Sequence, residues 1–216
     1  MKRLIIYDLD GTLVDTLEDI TLAANEMLRV MQAPAASPRE VRGYVGRGVQ
    51  QVVKGCLKTD GPAQIEHGIK VFRAFYARHL LDHSRLYPRA KEVLEYFKRR
   101  NQAVITNKPN PFAGDILRAL GVEQYFVSVI AGESEYPKKP NPTSVQAIMS
   151  RCGVKPEETL LVGDSPVDIE TGRNAGALTI GLTHGFSDED ELTMAAPDFM
   201  ARNFEDLLKL AKQQGW

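Results

Sequence analysis

Cysteine is scarce. The two present, Cys56 and Cys152, lie far apart with no CxxC spacing, which excludes an obvious zinc site and points to reduced, buried small residues. An excess of charge of either sign is also lacking. The formal net charge of -1 at pH 7 gives no support for a large nucleic-acid surface or a polybasic membrane patch. Long apolar runs are missing too. Met1-Lys2-Arg3 precedes only a short apolar run broken by Asp8 and Asp10, unlike a secretory signal, and no segment approaches the length of a bilayer span. The expectation is a soluble, cytoplasmic protein, monomer or homodimer, with no nucleic-acid or membrane partner. There is no internal repeat and no low-complexity tract. What remains is ordinary for a globular chain: 25% charged and 43% hydrophobic over 216 residues, enough for one large domain or two modest ones.

The stretch around which the chain is organised is Leu4-Ile5-Ile6-Tyr7-Asp8-Leu9-Asp10-Gly11-Thr12-Leu13. Strand-forming residues meet an abrupt aspartate, a second one two positions on, and a Gly-Thr turn. Side chains along a strand repeat with period two, so Asp8 and Asp10 can face one spot. Unpaired, two such carboxylates repel by about 4 kcal/mol at about 4 Å and an effective dielectric near 20. A metal ion or a shared proton would offset this. Plain turn residues after a buried strand are the alternative.

Further along, Thr16 with Asp19 predicts a helix start, and apolar residues recur at helical spacing through Leu17, Ile20, Ala24, Met27, Leu28 and Met31. Short helices follow over 39–45 and 49–57, and a longer one carries Ile65, Ile69, Phe72, Tyr76 and Leu80. From Thr16 to about His83 no strand is expected. From Tyr87-Pro88 the rhythm changes. A helix over 90–100, with Arg99 and Arg100 near its negative end, feeds a strand over 103–106. Asn110-Pro111, Asn141-Pro142 and Ser165-Pro166 each open a helix, closed by Gly121, Gly153 and Gly176, with a capping side chain and proline in the first turn. Apolar strands over 126–131, 159–163 and 178–182 lie between, and a short edge strand near Phe199 precedes a final helix. Strands alternating with helices predict an α/β fold, a Rossmann-like parallel sheet covered on both faces. The boundaries are an α/β core over 1–15 and 84–216 and an inserted all-helical cap over 16–83. In open parallel sheets ligands bind beyond the carboxyl ends of the strands, where the chemistry-bearing residues of this chain also fall.

Asp8 ends the first strand, Thr106-Asn107 the second, and Gly163-Asp164 a later one. Asp164 with Asp8 and a main-chain carbonyl is hard oxygen ligation suited to Mg²⁺. Asp168, in Gly-Asp-Ser-Pro-Val-Asp, is equally well explained as the acidic third residue of a capping box on Ser165. Lys139, between Lys138 and Pro140, could neutralise a carboxylate and an incoming phosphate, or be a solvated loop lysine. Thr106 and Asn107 could hydrogen-bond phosphate oxygens or satisfy a turn. Arg47, between two glycines, could reach a substrate carboxylate or face solvent. His67, His79 and His83 repeat no metal-ligand spacing.

Taken in order, Asp-x-Asp-Gly-Thr-Leu, Thr-Asn, Lys-Pro and Gly-Asp-x-x-x-Asp resemble the four motifs of the haloacid dehalogenase superfamily of phosphatases. The resemblance spans nearly the whole chain. It is greatest to phosphoglycolate phosphatase-like members, through Tyr44-Val45-Gly46-Arg47-Gly48, Ile105-Thr106-Asn107-Lys108-Pro109 and Gly163-Asp164-Ser165. It implies Mg²⁺-dependent hydrolysis of a small phosphate monoester, with the metal at Asp8, Asp10, Asp164 and Asp168. Asp8 would be the nucleophile forming an aspartyl-phosphate, Asp10 the acid and then the base, and Lys139 the neutralising cation. Thr106 and Asn107 would hold phosphate, and Arg47 would read the leaving group. Asp8, Asp164, Asp168 and a phosphate dianion carry five negative charges, of which Mg²⁺ and Lys139 return three. Two alternatives stay open: a phosphosugar mutase of the same fold, and a non-catalytic module that holds Mg²⁺ or phosphate. A dehalogenase is disfavoured, because Asp10 has no necessary role in displacing halide.

Overall fold

Leu4, Ile5, Ile6 and Tyr7 are all buried on both faces of the sheet they form, each contributing about 1.5–3 kcal/mol by leaving water. The Tyr7 hydroxyl escapes isolation by donating to Gln102 Oε1 at 3.1 Å. The computed structural model describes residues 1–216. In chain order the elements are β1 (Leu4–Tyr7), β2 (Val14–Asp15), α1 (Leu17–Val30), α2 (Pro38–Arg42), α3 (Val49–Leu57), α4 (Pro62–His79), β3 (Arg85–Leu86), α5 (Ala90–Tyr96) and β4 (Asn101–Pro109). There follow α6 (Phe112–Ala119), β5 (Ser128–Gly132), α7 (Thr143–Cys152), β6 (Thr159–Gly163), α8 (Pro166–Asn174), β7 (Leu178–Leu182), α9 (Glu189–Met194), β8 (Phe199–Ala201) and α10 (Phe204–Gln213).

Six strands form one parallel sheet in the order β5-β4-β1-β6-β7-β8. Strand order reverses at β1, with β4 on one side and β6 on the other, so the ends of these three strands enclose the crevice where such sheets bind ligands. Apolar clusters cover both faces. One gathers Ile5, Tyr7 and Val104 with helices α5, α6 and α10; the other gathers Leu4, Ile6 and Ala103 with α7. A third cluster belongs to α1–α4 and includes Met27, Val53, Phe72 and Tyr76. Phe112 of α6 joins it, stacking edge-on against Tyr76 at 5.2 Å.

Several local expectations need correction. Thr16 makes no helix cap; its hydroxyl donates instead to Asp10 Oδ1 at 2.7 Å. Asp19, its expected partner in a cap, is buried and accepts from the Ser84 hydroxyl and from the backbone N–H groups of His83 and Ser84, tying the chain's return to the sheet. Beside this tie, β2 and β3 form a two-residue antiparallel ladder too short for periodicity to register. Asn110 does not cap, whereas Asn141 Oδ1 accepts from the N–H of Thr143, the first residue of α7, at 2.9 Å; α6 and α7 begin directly after Pro111 and Pro142. Ser165 makes a complete capping box with Asp168. Helix α5 stops at Tyr96, leaving Arg99 and Arg100 beyond its last turn. Cys56 is buried and Cys152 half-buried, both free. No helix is long and apolar enough to cross a membrane.

Candidate active site

Asp8 follows β1 directly, and its N–H still donates to Val162 O at 3.0 Å, so the strand geometry persists through it. Asp164 follows β6, the neighbouring strand, and Asp168 lies in the first turn of α8. Ligand oxygens of Asp8, Asp164 and Asp168 lie within 4.8 Å of one another, and all three residues are buried. Glycine makes this approach possible. A Cβ on Gly11, which also has φ +82°, would overlap the Asp164 carboxylate, and one on Gly163 would overlap Asp168.

Lys139 brings the only ammonium into this cluster. Its Nζ stands 2.8 Å from Asp8 Oδ1 and donates to Asp168 Oδ1 at 2.6 Å. Lys139 Nζ is the one protein group beside the buried Asp8 Oδ1. Asp164 accepts from the Thr12 hydroxyl at 2.5 Å and from Phe186 N–H at 2.7 Å. The Asp168 oxygens are committed to Lys139 and to the Ser165 hydroxyl and N–H. Three carboxylates against one ammonium leave two uncompensated negative charges in a desolvated space. Burial therefore pushes the Asp8 carboxyl up to about 7, against the pull of Lys139 and with the help of Asp168. Burial and the same neighbours raise Asp164 well above the usual carboxylate range. An all-oxygen donor set of three buried carboxylates and a charge deficit of two fit a hard divalent cation.

Asp10 has different surroundings. Its Oδ1 accepts from Thr16 Oγ1 and from Lys108 Nζ at 2.8 Å, so its side chain contributes nothing to the acidic cluster, which contains Asp8, Asp164 and Asp168 only. Lys108 is buried, and its ammonium also sits 4.7 Å from the centre of the Tyr76 ring. Burial pulls this ammonium down, but Asp10 and then Tyr76 outweigh burial and carry it above the ordinary lysine value. The charge count made from sequence omits Lys108, and Lys108 offsets Asp10.

Thr106 and Asn107 both reach the crevice. The Thr106 oxygen accepts from Lys108 N–H at 3.2 Å and keeps its own hydrogen available. The Asn107 side chain is engaged elsewhere: its amide donates to Gly46 O at 2.9 Å and Lys139 O at 3.2 Å, and its oxygen accepts from Lys139 N–H. As a direct phosphate ligand through its side chain, Asn107 is thus already spent; it ties the lysine segment to the loop of Gly46. Two cavities open on this crevice. One of about 310 Å³ is lined by Asp8, Asp10 and Asp164 with Arg42 and Arg47. The other, about 40 Å³, is lined by Asp8, Asp10, Thr106, Lys108 and Tyr76 with apolar walls from α3 and α4. Arg47 is exposed.

A family profile described as haloacid dehalogenase-like hydrolase matches residues 5–182. The chain belongs to that family. It is 36% identical to a phosphoglycolate phosphatase of Vibrio parahaemolyticus, over 96% of this chain and 95% of the relative. It is 33% identical to phosphoglycolate phosphatase 1 of Pseudomonas aeruginosa, over 99% and 81% respectively. Among solved structures, a protein from Haemophilus somnus described as a predicted phosphoglycolate phosphatase superposes with a TM-score of 0.92 at 32% identity, covering 97% and 98% of the two chains.

In this hydrolase, sequence reasoning missed Thr12, Thr16, Tyr76 and Lys108. A signal for Lys108 existed, since it follows Thr106 by two residues, as Asp10 follows Asp8. The ladder between β4 and β5 shifts register between Ile105 and Pro109, the segment whose side chains meet the crevice. Tyr76 was legible only as an apolar position of a helix.

Proposed function

We propose that the chain is a Mg²⁺-dependent phosphatase of small phosphate monoesters, working through an aspartyl-phosphate on Asp8. The observation that carries this is the buried trio of carboxylates that shares a single buried lysine. Asp8 and Asp164 would hold the metal. Asp168 would act through Lys139 and Ser165, which already occupy its oxygens. When bound, Mg²⁺ neutralises the carboxylates and the phosphoryl oxygens and so lets the two approach.

An Asp8 oxygen attacks phosphorus as the bond to the leaving oxygen breaks, and Asp10 delivers the proton that oxygen needs. Both hydrogen bonds to Asp10 fall on Oδ1, so Oδ2 is the atom placed to exchange a proton. The same group then takes a proton from the water that cleaves the acyl-phosphate. Lys139 screens Asp8 from the incoming phosphate, and the free Thr106 hydrogen binds a phosphoryl oxygen. Helices α1–α4, residues 16–83, act as a cap: Arg42 donates to the carbonyls of Phe186 and Ser187, and Arg73 pairs with Glu133, drawing the helices onto the sheet. The relatives' names favour a phosphoglycolate-like substrate.

Phosphate release from phosphoglycolate, sugar phosphates, nucleotides and pyrophosphate, measured with Mg²⁺, tests this. Many turnovers of free phosphate, abolished by chelation, are expected. A single stoichiometric release, or isomer interconversion in place of release, would count against it.

A further inference from the structure

Residues 183–188, which join β7 to α9, lie between Asp164 and the cap. Their start is fixed on the core: Thr183 N–H donates to Ala201 O at 3.1 Å, and His184 Nε2 stands 3.1 Å from Thr12 O with its ring stacked on Tyr87. Gly185 follows, pressed so closely on Asp164 that a Cβ would overlap the carboxylate. Phe186 N–H then donates to Asp164 Oδ2 at 2.7 Å while Thr12 Oγ1 takes Oδ1, so one of the two bonds that orient this carboxylate comes from the loop. Beyond that bond the core stops holding the chain. The carbonyls of Phe186 and Ser187 accept from no backbone N–H; their donor is a cap residue, Arg42, through Nε to Phe186 and through Nη2 to Ser187 at 3.1 Å.

We propose that Arg42 is a positioning residue for the metal: by clasping these two carbonyls it keeps Phe186 N–H on Asp164, so the acidic cluster reaches its full affinity for the cation only while the clasp is closed. The assignment rests on the phosphatase reading above, which gives Asp164 its metal. Groups that orient a metal ligand set the affinity of the site without touching the ion. The placement of Arg42 suits this. Its neighbour Val41 is buried in the helical cluster and α2 starts in a complete capping box, so the Arg42 backbone moves with the cap and not with the sheet. Its guanidinium presents N–H groups in a fixed fork, which two successive carbonyls engage together and a single ammonium cannot. The ion pair of Arg42 with Asp188, at 3.4 Å and exposed, adds little. The coupling runs both ways: whatever the closed clasp adds to Mg²⁺ affinity, bound Mg²⁺ adds to closure of the clasp.

The test reads metal binding without substrate, as the Mg²⁺ concentration that gives a fixed increment in Tm. Arg42→Met keeps the side-chain stem and deletes both donors; it should raise that concentration by about tenfold, the low end for a group behind a metal ligand. Arg42→Lys, which replaces the fork with one ammonium, should show a smaller rise, and it carries the test if Arg42→Met does not fold. Arg73→Ala frees the cap's other tie, at Glu133, and should need close to the wild-type concentration. Hydrogen exchange without metal gives a second reading. In Arg42→Met the Phe186 amide should exchange faster relative to the Asp8 amide of the same chain, which donates to Val162 O. A wild-type Mg²⁺ requirement or wild-type exchange at Phe186 in Arg42→Met would overturn the proposal and leave the phosphatase reading standing. Equal losses of affinity in Arg42→Met and Arg73→Ala would overturn it too, because the effect would then belong to the cap as a whole. A wild type whose Tm does not respond to Mg²⁺ would overturn both.

Discussion

Asp8 and Asp10 stand two residues apart at the end of one strand, yet they belong to regions with opposite electrostatics. On the Asp8 side three buried carboxylates share one lysine. On the Asp10 side one carboxylate has one lysine and a hydroxyl, and its balance closes without any ion. The first region is incomplete by two charges and accepts a divalent cation. The second is complete in charge, with the Lys108 ammonium also set over the Tyr76 ring. Identical side chains thus acquire different chemistry from what the neighbouring strands bring up beside them.

Substitution at the two aspartates should separate these regions. Asp8→Asn removes the nucleophile and should cut hydrolysis of an aryl phosphate by at least about 10⁴-fold, as seen when other nucleophiles are deleted. Asp10→Asn should cost about 10²–10⁴-fold, the range of a general acid, with the loss smaller for aryl than for alkyl esters because a phenolate needs less protonation. Equal losses for both ester types at Asp10 would contradict the acid assignment.

Metal dependence should show the same asymmetry at smaller scale. Asp164→Asn should raise the Mg²⁺ concentration needed for half-maximal activity by about 10–100-fold, whereas Lys108→Met should leave that concentration near the wild-type value; metal titrations of activity read both. The smallest effect is on stability. The folded Asp8 carboxyl lies at about 7, above its unfolded value. Its contribution is therefore fully present below the unfolded pKa and is lost as pH rises through about 7. The metal-free chain should lose thermal stability between pH 6 and pH 8, and Mg²⁺, which favours the ionised form, should raise Tm more at pH 8 than at pH 6. A Tm increment that shrinks with pH would contradict the charge deficit on the Asp8 side.

Sequence exposed the two regions unequally. Asp8, Asp164 and Lys139 were legible because each ends or follows a strand with strong apolar patterning, and strand ends in a parallel sheet converge on one edge. The sheet itself and the helical stretch between Leu17 and His79 were legible for the same reason. Asp168 read equally well as a capping residue and as a ligand, and the structure shows a complete capping box whose acid also holds Lys139. The Asp10 side was not legible. Tyr76 follows helical periodicity and looks like any core aromatic, while Lys108 sits where β4 slips register. Nothing local in the sequence indicates that a helix in 62–79 places a ring over that lysine. Asn107 misled for a related reason: its amide serves Gly46 and Lys139, contacts distant in sequence.

The most direct measurement is mass analysis of the chain quenched in acid during turnover of phosphoglycolate with Mg²⁺, followed by digestion. The account predicts one phosphoryl group on the peptide that carries Asp8, lost once the substrate is exhausted and absent in Asp8→Asn. Turnover with no phosphorylated peptide, or with the phosphoryl group on a peptide lacking Asp8, would contradict it.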